Sequence, residues 1–163
     1  QRSTVLIGAR STMGPITFES RALTGRIDAI MLDGAVCADP FPRATLEVDL
    51  TQLRSGNELY DAELRRRIDT RRFPTCTLEL HRTVRLGDRR YSLQGDLTFH
   101  DTTRTLEGAA EVDIVDEHRL TVIGDKTIDI RDFDVPAPSI LMLKIYPEVR
   151  VQIFVEAVAE EPA

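Results

Sequence analysis

Two runs of strict alternation between residues 90 and 113 constrain this chain more than any other feature. Tyr91, Leu93, Leu97 and Phe99 fall on one face of an extended chain and Ser92, Gln94, Asp96 and Thr98 on the other, because successive strand side chains point to opposite sides. After a polar break at His100, Asp101, Thr102 and Thr103, the alternation resumes. Leu106, Gly108, Ala110 and Val112 face inward against Thr105, Glu107, Glu111 and Asp113. The pattern predicts a hairpin of two half-buried strands joined by a polar turn. Its apolar faces should converge on one interior, which is either filled by side chains or occupied by something else.

The same period recurs along the chain. Ile16, Phe18, Ser20 and Ala22 alternate with Thr17, Glu19 and Arg21; Leu46, Val48 and Leu50 with Thr45, Glu47 and Asp49; Cys76, Leu78 and Leu80 with Thr77, Glu79 and His81. Leu120 and Val122, then Ile128 and Ile130, continue it. The last strand carries Val149, Val151, Ile153 and Val155 inward, with Phe154 an exception on the outer face. Turn signals separate these runs at Ser11 to Pro15, Thr24-Gly25, Asp33-Gly34, Asp39-Pro40-Phe41-Pro42 and Gly87-Asp88, and Pro136 and Pro138 interrupt the chain again.

Only residues 58–68 read as a helix. Leu59, Ala62, Leu64 and Ile68 form a rough 3.6-residue stripe behind the candidate caps Ser55-Gly56-Asn57, acidic residues lead and arginines follow, and Pro74 stops any continuation. Seven to nine short strands with one helix predict an antiparallel β architecture, a sandwich or a closed barrel.

With 163 residues the chain is one ordinary domain, expected over residues 1–159, with a disordered acidic tail at 160–163. A net charge of -6 argues against nucleic acid as the partner, since such binding rests on a basic surface. No apolar run approaches the roughly 18 residues of a transmembrane helix. The chain begins at Gln1, so the lack of a signal peptide in it is no evidence of cytosolic residence. Cys37 and Cys76 could bridge in an oxidising compartment, although two cysteines in a chain this size are more often small buried apolar residues. His81, His100 and His118 lack zinc-type spacing. No nucleophile elbow, phosphate loop or dinucleotide fingerprint is present, so neither a metal nor a cofactor is expected, nor an enzyme. Asp129, Arg131 and Asp132 read as a structural ion pair at a strand end.

Three blocks carry a family resemblance. Gly95-Asp96-Leu97-Thr98-Phe99-His100, followed by Thr103-Arg104-Thr105-Leu106, is similar to a Gly-Asp-Leu-Thr-Ile-His-Gly hairpin. Residues 50–72, with Ser55-Gly56-Asn57, Asp61 and Leu64-Arg65, are similar to a helix segment that ends here in Phe73-Pro74. Ile128-Asp129-Ile130-Arg131-Asp132-Phe133 is close to a Leu-Asp-Arg-x-Asp-Phe-Gly element. Together they resemble the YceI-like family, bacterial lipocalin-like proteins that bind polyisoprenoid lipids. Asp101 and Asp134 stand where the family has Gly, and Tyr60 and Glu63 where it has Arg and His, which marks a divergent member. The resemblance implies an all-β, antiparallel, eight-stranded lipocalin-like up-and-down barrel with one short helix. It also implies a lipid chain threaded inside, frequent homodimers, and periplasmic or secreted residence, with the cytoplasm as the alternative.

In such a barrel the lining positions would be Phe18, Leu46, Val48, Leu78, Leu80, Leu93, Leu97, Phe99, Val122, Ile130, Val151 and Ile153. A Leu, Ile, Val and Ala wall makes no hydrogen-bonding demands and suits a long-chain isoprenoid or similar amphiphile. An eight-stranded barrel can equally be packed solid. The arginines at 65, 66, 67, 71 and 72 have two readings: Arg65 and Arg72 hold an anionic head group at the barrel mouth, or the cluster is a solvated helix end favoured by the dipole. Two functions follow. The first is non-enzymatic binding, transport or storage of a lipid; the alternative is a filled β scaffold serving as a protein-interaction module.

Overall fold

The computed structural model describes residues 3–29, 31–32, 35–36, 43–116, 118–136, 139–140 and 142–159. The Asp33-Gly34 turn, Cys37, the loop at 39–42, Pro138 and the tail at 160–163 lie outside the described residues.

Among the described residues twelve strands follow in chain order: β1 (Thr4–Ser11), β2 (Gly14–Ser20), β3 (Leu23–Asp28), β4 (Met31–Leu32), β5 (Ala35–Val36), β6 (Arg43–Asp49), β7 (Thr75–Arg85), β8 (Arg90–Phe99), β9 (Thr102–Asp116), β10 (Arg119–Asp129), β11 (Ser139–Ile140) and β12 (Leu143–Val158). Among them too is one helix, α1 (Glu58–Arg67), between β6 and β7, and 3-10 turns occupy Leu50–Gln52 and Ile130–Phe133. Nine strands form one antiparallel curled sheet in the order β2, β1, β12, β10, β9, β8, β7, β6, β3, while β11 pairs with β12, and β4 and β5 pair with each other. The fold is the expected lipocalin-like one, but with nine strands in the wall rather than eight.

The extra strand arises at a corner. The extended segment that begins at Gly14 breaks at residues 21–22, where the Ala22 N–H donates to Ser20 Oγ at 3.2 Å. Before the break it pairs with β1, and after it with β6. The two edges of the sheet are therefore consecutive in the chain and meet at this corner. Glu19 and Arg54 exchange backbone hydrogen bonds of 2.8 and 2.9 Å there, and Asp49 N–H donates to Ala22 C=O at 2.9 Å. These bonds occupy backbone groups that an open edge would leave unpaired.

The predicted hairpin is β8 and β9, in register from Arg90↔Glu111 to Phe99↔Thr102. Its turn is two residues long rather than four, with His100 at φ 55° and Asp101 at φ 60°. Positive φ at both central residues is the arrangement whose twist matches the flanking strands. The departures from the family pattern acquire a reason here. Asp101 and Asp134 (φ 59°), each standing where the family carries Gly, both occupy the left-handed region, which Asp tolerates better than most side chains. Asp101→Gly should therefore raise stability by up to about 1 kcal/mol, read as a shift in the urea midpoint at unchanged slope.

Packing divides the interior lengthwise. Phe18, Leu50, Leu53, Ile68, Ile130, Ile145 and Val149 cluster at the end covered by α1. Tyr91, Val112 and Leu120 close the other end, joined by Leu93, Ile114, Val122 and Ala157. The intervening wall is Leu23, Leu46 and Val155 with Leu78 and Ile153.

A hollow interior with one open wall

Between those two packed ends lies a cavity of about 250 Å³. A packing defect holding one water needs roughly 10–15 Å³ on the same kind of measure, so this is a built space and not an imperfection of the core. Its walls are almost wholly apolar. Phe18 and the pairs Leu46 and Leu78, Leu80 and Leu93, Leu97 and Phe99 border it, as do Val48, Ile130, Val151 and Ile153. Val122, expected among them, does not. It packs against both the Leu23, Leu46 and Val155 wall and Tyr91 and Leu120 of the closed end, so its inward orientation places it at the closed end of the cavity and not along its side.

The roof is the segment after β6. Leu50, Leu53, Leu64 and Ile68 all border the cavity. Asn57 caps α1, its side-chain oxygen accepting the N–H groups of Leu59 and Tyr60 at 3.0 and 3.2 Å. The stripe expected on this helix is rotated, however. Leu59 is 67% exposed and Ala62 is exposed, whereas Asp61 is only 3% exposed. The carboxylate of Asp61 accepts the N–H and the Oγ–H of Ser55 at 2.8 and 2.7 Å, fixing the loop to the helix. That polar anchor, and not apolar periodicity, sets which face points inward.

Neither arginine expected at a head group borders the cavity. Arg72 is exposed, near Asp69 at 3.9 Å and over the Phe73 ring at 5.0 Å. Arg65 is half-buried, and its Nη1 has no hydrogen-bond partner. Arg66 and Arg67 both donate to Glu63, and the Arg66 bond chiefly holds the Glu63 carboxyl below its usual range.

Cys76 borders the cavity as a thiol, and burial pushes its pKa up to about 12, so it serves as a small apolar wall residue. Among the described residues no cluster of His, Cys, Asp and Glu is arranged to hold a metal ion. His100 packs against Phe73 with ring centroids 4.5 Å apart and planes tilted by 49°, and meets Phe99 edge-on at 6.2 Å. Asp129 and Arg131 form the expected ion pair at 2.7 Å.

On the outer face, Asp96 joins three strands, accepting from Thr105 Oγ at 2.8 Å and lying 2.8 Å from His81 Nε2. The His81 hydrogen bond, with Thr105 second, holds the Asp96 carboxyl below its ordinary 3.8. A depressed carboxyl contributes stability above its unfolded pKa and loses it as pH falls through the folded value. The cluster should therefore be intact at neutral pH and come apart only below 3.8. A carbon-detected NMR titration of Asp96 should show the low value, and His81→Ala should raise it.

One part of the wall is incomplete. Pairing between β9 and β10 runs from Arg119↔Asp116 to Gly124↔Ala110 and stops, although β10 stays paired with β12 as far as Asp129↔Glu148 and β9 with β8 as far as Thr102↔Phe99. In other strands the cavity is bordered by the inward set alone. Along this gap the outward positions Glu107, Ala109 and Asp125 border it too, alongside Leu106, Gly108, Gly124, Lys126 and Ile128. Outward residues reach an interior only where the wall is open.

A curled antiparallel sheet with a roofed, apolar hollow and one side opening defines a lipocalin-like fold. The chain belongs to the YceI-like domain family, which it matches over residues 5–157. No curated protein matches. Solved structures show the same fold at low identity. BcnA of Burkholderia cenocepacia has a TM-score of 0.82 and 16% identity over 95% of this chain and 96% of its own. A polyisoprenoid-binding domain from Saccharophagus degradans implicated in plant cell wall breakdown has 0.78 and 16% over 97% and 94%. The Campylobacter jejuni YCEI protein has 0.70 and 15% over 85% and 82%.

Proposed function

We propose that this protein binds a long-chain isoprenoid or similar amphiphilic lipid in its interior, as a non-catalytic carrier or store. The observation that carries the reading is the hollow itself: an apolar space between two packed ends, bordered by residues with no hydrogen-bonding demand. Each CH₂ buried there contributes about 0.8 kcal/mol, so roughly a dozen carbons supply about 10 kcal/mol, comparable to the estimated cost of losing a ligand's free motion. Membership of the YceI-like family and the polyisoprenoid-binding neighbour from Saccharophagus degradans support the same ligand class.

The test is native mass spectrometry of freshly purified protein, followed by organic extraction and loading with a polyprenol. Recovery of a lipid, or saturable one-to-one uptake of the polyprenol, is the expected result. Protein that is repeatedly ligand-free and also rejects added polyprenols overturns the reading.

One observation favours a protein-interaction role in addition. Ile123 and Phe154 are register partners on the outer face, 48% and 39% exposed. They form a small apolar patch on which a second copy or a partner protein can sit. The cavity opposes a filled scaffold.

A further inference from the structure

The gap between β9 and β10 differs chemically from the rest of the wall. Residues paired across an antiparallel ladder point to the same side. Val149, Val151 and Ile153 border the cavity, and their partners are Ile128, Lys126 and Gly124. Lys126 therefore stands at an inward position in the middle of an otherwise apolar row. On β9, the facing strand, Arg104 is the register partner of Leu97 of β8, which borders the cavity. Both cations of the gap thus sit where the alternation calls for an apolar side chain.

Each reaches across the opening to a backbone carbonyl on the far side. Lys126 Nζ donates to Glu107 C=O at 2.7 Å, and Arg104 Nε donates to Asp132 C=O at 2.8 Å. Two inward positions of the gap, Gly108 and Gly124, are glycines, while Leu106 and Ile128 stand inward between Lys126 and Arg104. A methyl group built on Gly108 would meet only the Lys126 stem, at 3.7 Å, so no side chain fills the opening at that position. Three nearby carboxylates are engaged elsewhere: Asp125 by Arg150, Asp129 by Arg131, and Glu107 by the Ser92 hydroxyl at 3.3 Å. Among the described residues no carboxylate forms an ion pair with Lys126 or Arg104. Each keeps further N–H donors beyond the one it uses, three in all on an ammonium and five on a guanidinium. The two contact points on β9, Glu107 and Arg104, are three residues apart, or roughly 10 Å of strand.

We propose that this gap is a side portal in which an oxyanionic head group, phosphate or carboxylate, sits against Lys126 and Arg104 while the tail of the same amphiphile fills the cavity. The inference rests on the lipid-binding reading above and adds the place and charge of the head. It moves the head-group site from Arg65 and Arg72, which do not border the cavity, to the open wall, where Lys126 borders it and a charged group keeps contact with water while its tail is buried. An ammonium already hydrogen-bonded to a neutral carbonyl gains the attraction of a full opposite charge by turning to an oxyanion.

The experiment compares three ligands of matched tail length, a polyprenol, a polyprenyl monophosphate and a long-chain carboxylate, on wild-type protein and on Lys126→Met and Lys126→Arg. Lys126 is exposed and its ammonium donates to a backbone carbonyl, so these variants should fold, and the readout is the ratio of anion to polyprenol affinity within each protein. The expected result is an anion advantage over the polyprenol of about tenfold in wild type, lost in Lys126→Met and restored in Lys126→Arg. Whichever anion gains more identifies the head group. An anion advantage that survives in Lys126→Met and in Lys126→Met/Arg104→Leu overturns the portal while leaving lipid binding in place. Failure of all three ligands to bind wild type overturns the underlying reading instead.

Discussion

Val48→Phe should leave the fold as stable as it is, within about 1 kcal/mol, and weaken lipid binding roughly a hundredfold. In a well-packed core, adding that much side chain forces neighbours off their rotamers and costs about 1–3 kcal/mol. Val48 packs against both the roof cluster and the mid-barrel cluster, so its side chain stands near the middle of the hollow. A phenyl ring there has empty space to occupy, and the apolar area it buries offsets what strain remains. The same ring denies the space to a ligand. Excluding three or four methylenes at about 0.8 kcal/mol each removes about 3 kcal/mol of binding, which is two orders of magnitude in affinity. Urea denaturation and a polyprenol titration check the two halves separately. Phe133→Ala supplies the contrast: this side chain is 1% exposed, stacks on Phe99 at 5.8 Å, and does not border the cavity. Its loss should cost about 3–5 kcal/mol as an ordinary core truncation. A Val48→Phe protein destabilised by several kcal/mol with unchanged lipid uptake would mean that the interior is not hollow where it matters.

That contrast marks what alternation can and cannot say. Period two assigned β8, β9 and β12 to their faces because one side of each strand is buried, and a slip by one residue would turn every apolar group outward. It says nothing about depth along the barrel axis. Val122 and Val151 are both inward by parity, yet one lies in the closed end and the other beside the cavity, a difference fixed by which strands stagger past which. The break between β2 and β3 falls at residues 21–22 and not at the expected Thr24-Gly25 turn, which lies inside β3, because the Ser20 hydroxyl redirects the backbone while Ala22 continues the apolar alternation.

The open wall was legible in part. Val122, Gly124, Lys126 and Ile128 are spaced by two, and the chain has only two lysines, so a charge on the inward row could have been noticed from the sequence. Gly124 and Lys126 interrupt the apolar run, and a reading that follows apolar residues stops there. What no sequence pattern shows is that β9 and β10 part beyond Gly124↔Ala110, because each remains well paired on its other side. The head-group reading of Arg65 and Arg72 followed charge density, which the acidic neighbours Glu63 and Asp69 and the helix end largely absorb.

Asp61→Ala is expected to cost about 3 kcal/mol and to open the roof. The side chain is buried, and its carboxylate takes both the backbone N–H and the hydroxyl of Ser55, so truncation removes two bonds to a charged acceptor and leaves a donor unsatisfied. The effect should travel beyond the loop. Helix α1 is short, and Leu59 and Ala62 contribute little burial, so its docking depends on Leu64, Ile68 and this anchor. Ten residues with a weak apolar stripe do not hold a helix by propensity alone. Loosening it uncovers Leu50, Leu53, Leu64 and Ile68, the residues that border the cavity from above. Asp61→Ala should therefore bind the dye ANS under conditions in which wild type does not, with little loss of strand signal in circular dichroism. Faster polyprenol release should accompany it. Asp61→Asn, which keeps one acceptor oxygen, should recover about half of the stability. A variant that loses stability without binding dye or releasing lipid faster would separate the anchor from the roof, and would make the Ser55 contact a feature of the loop alone.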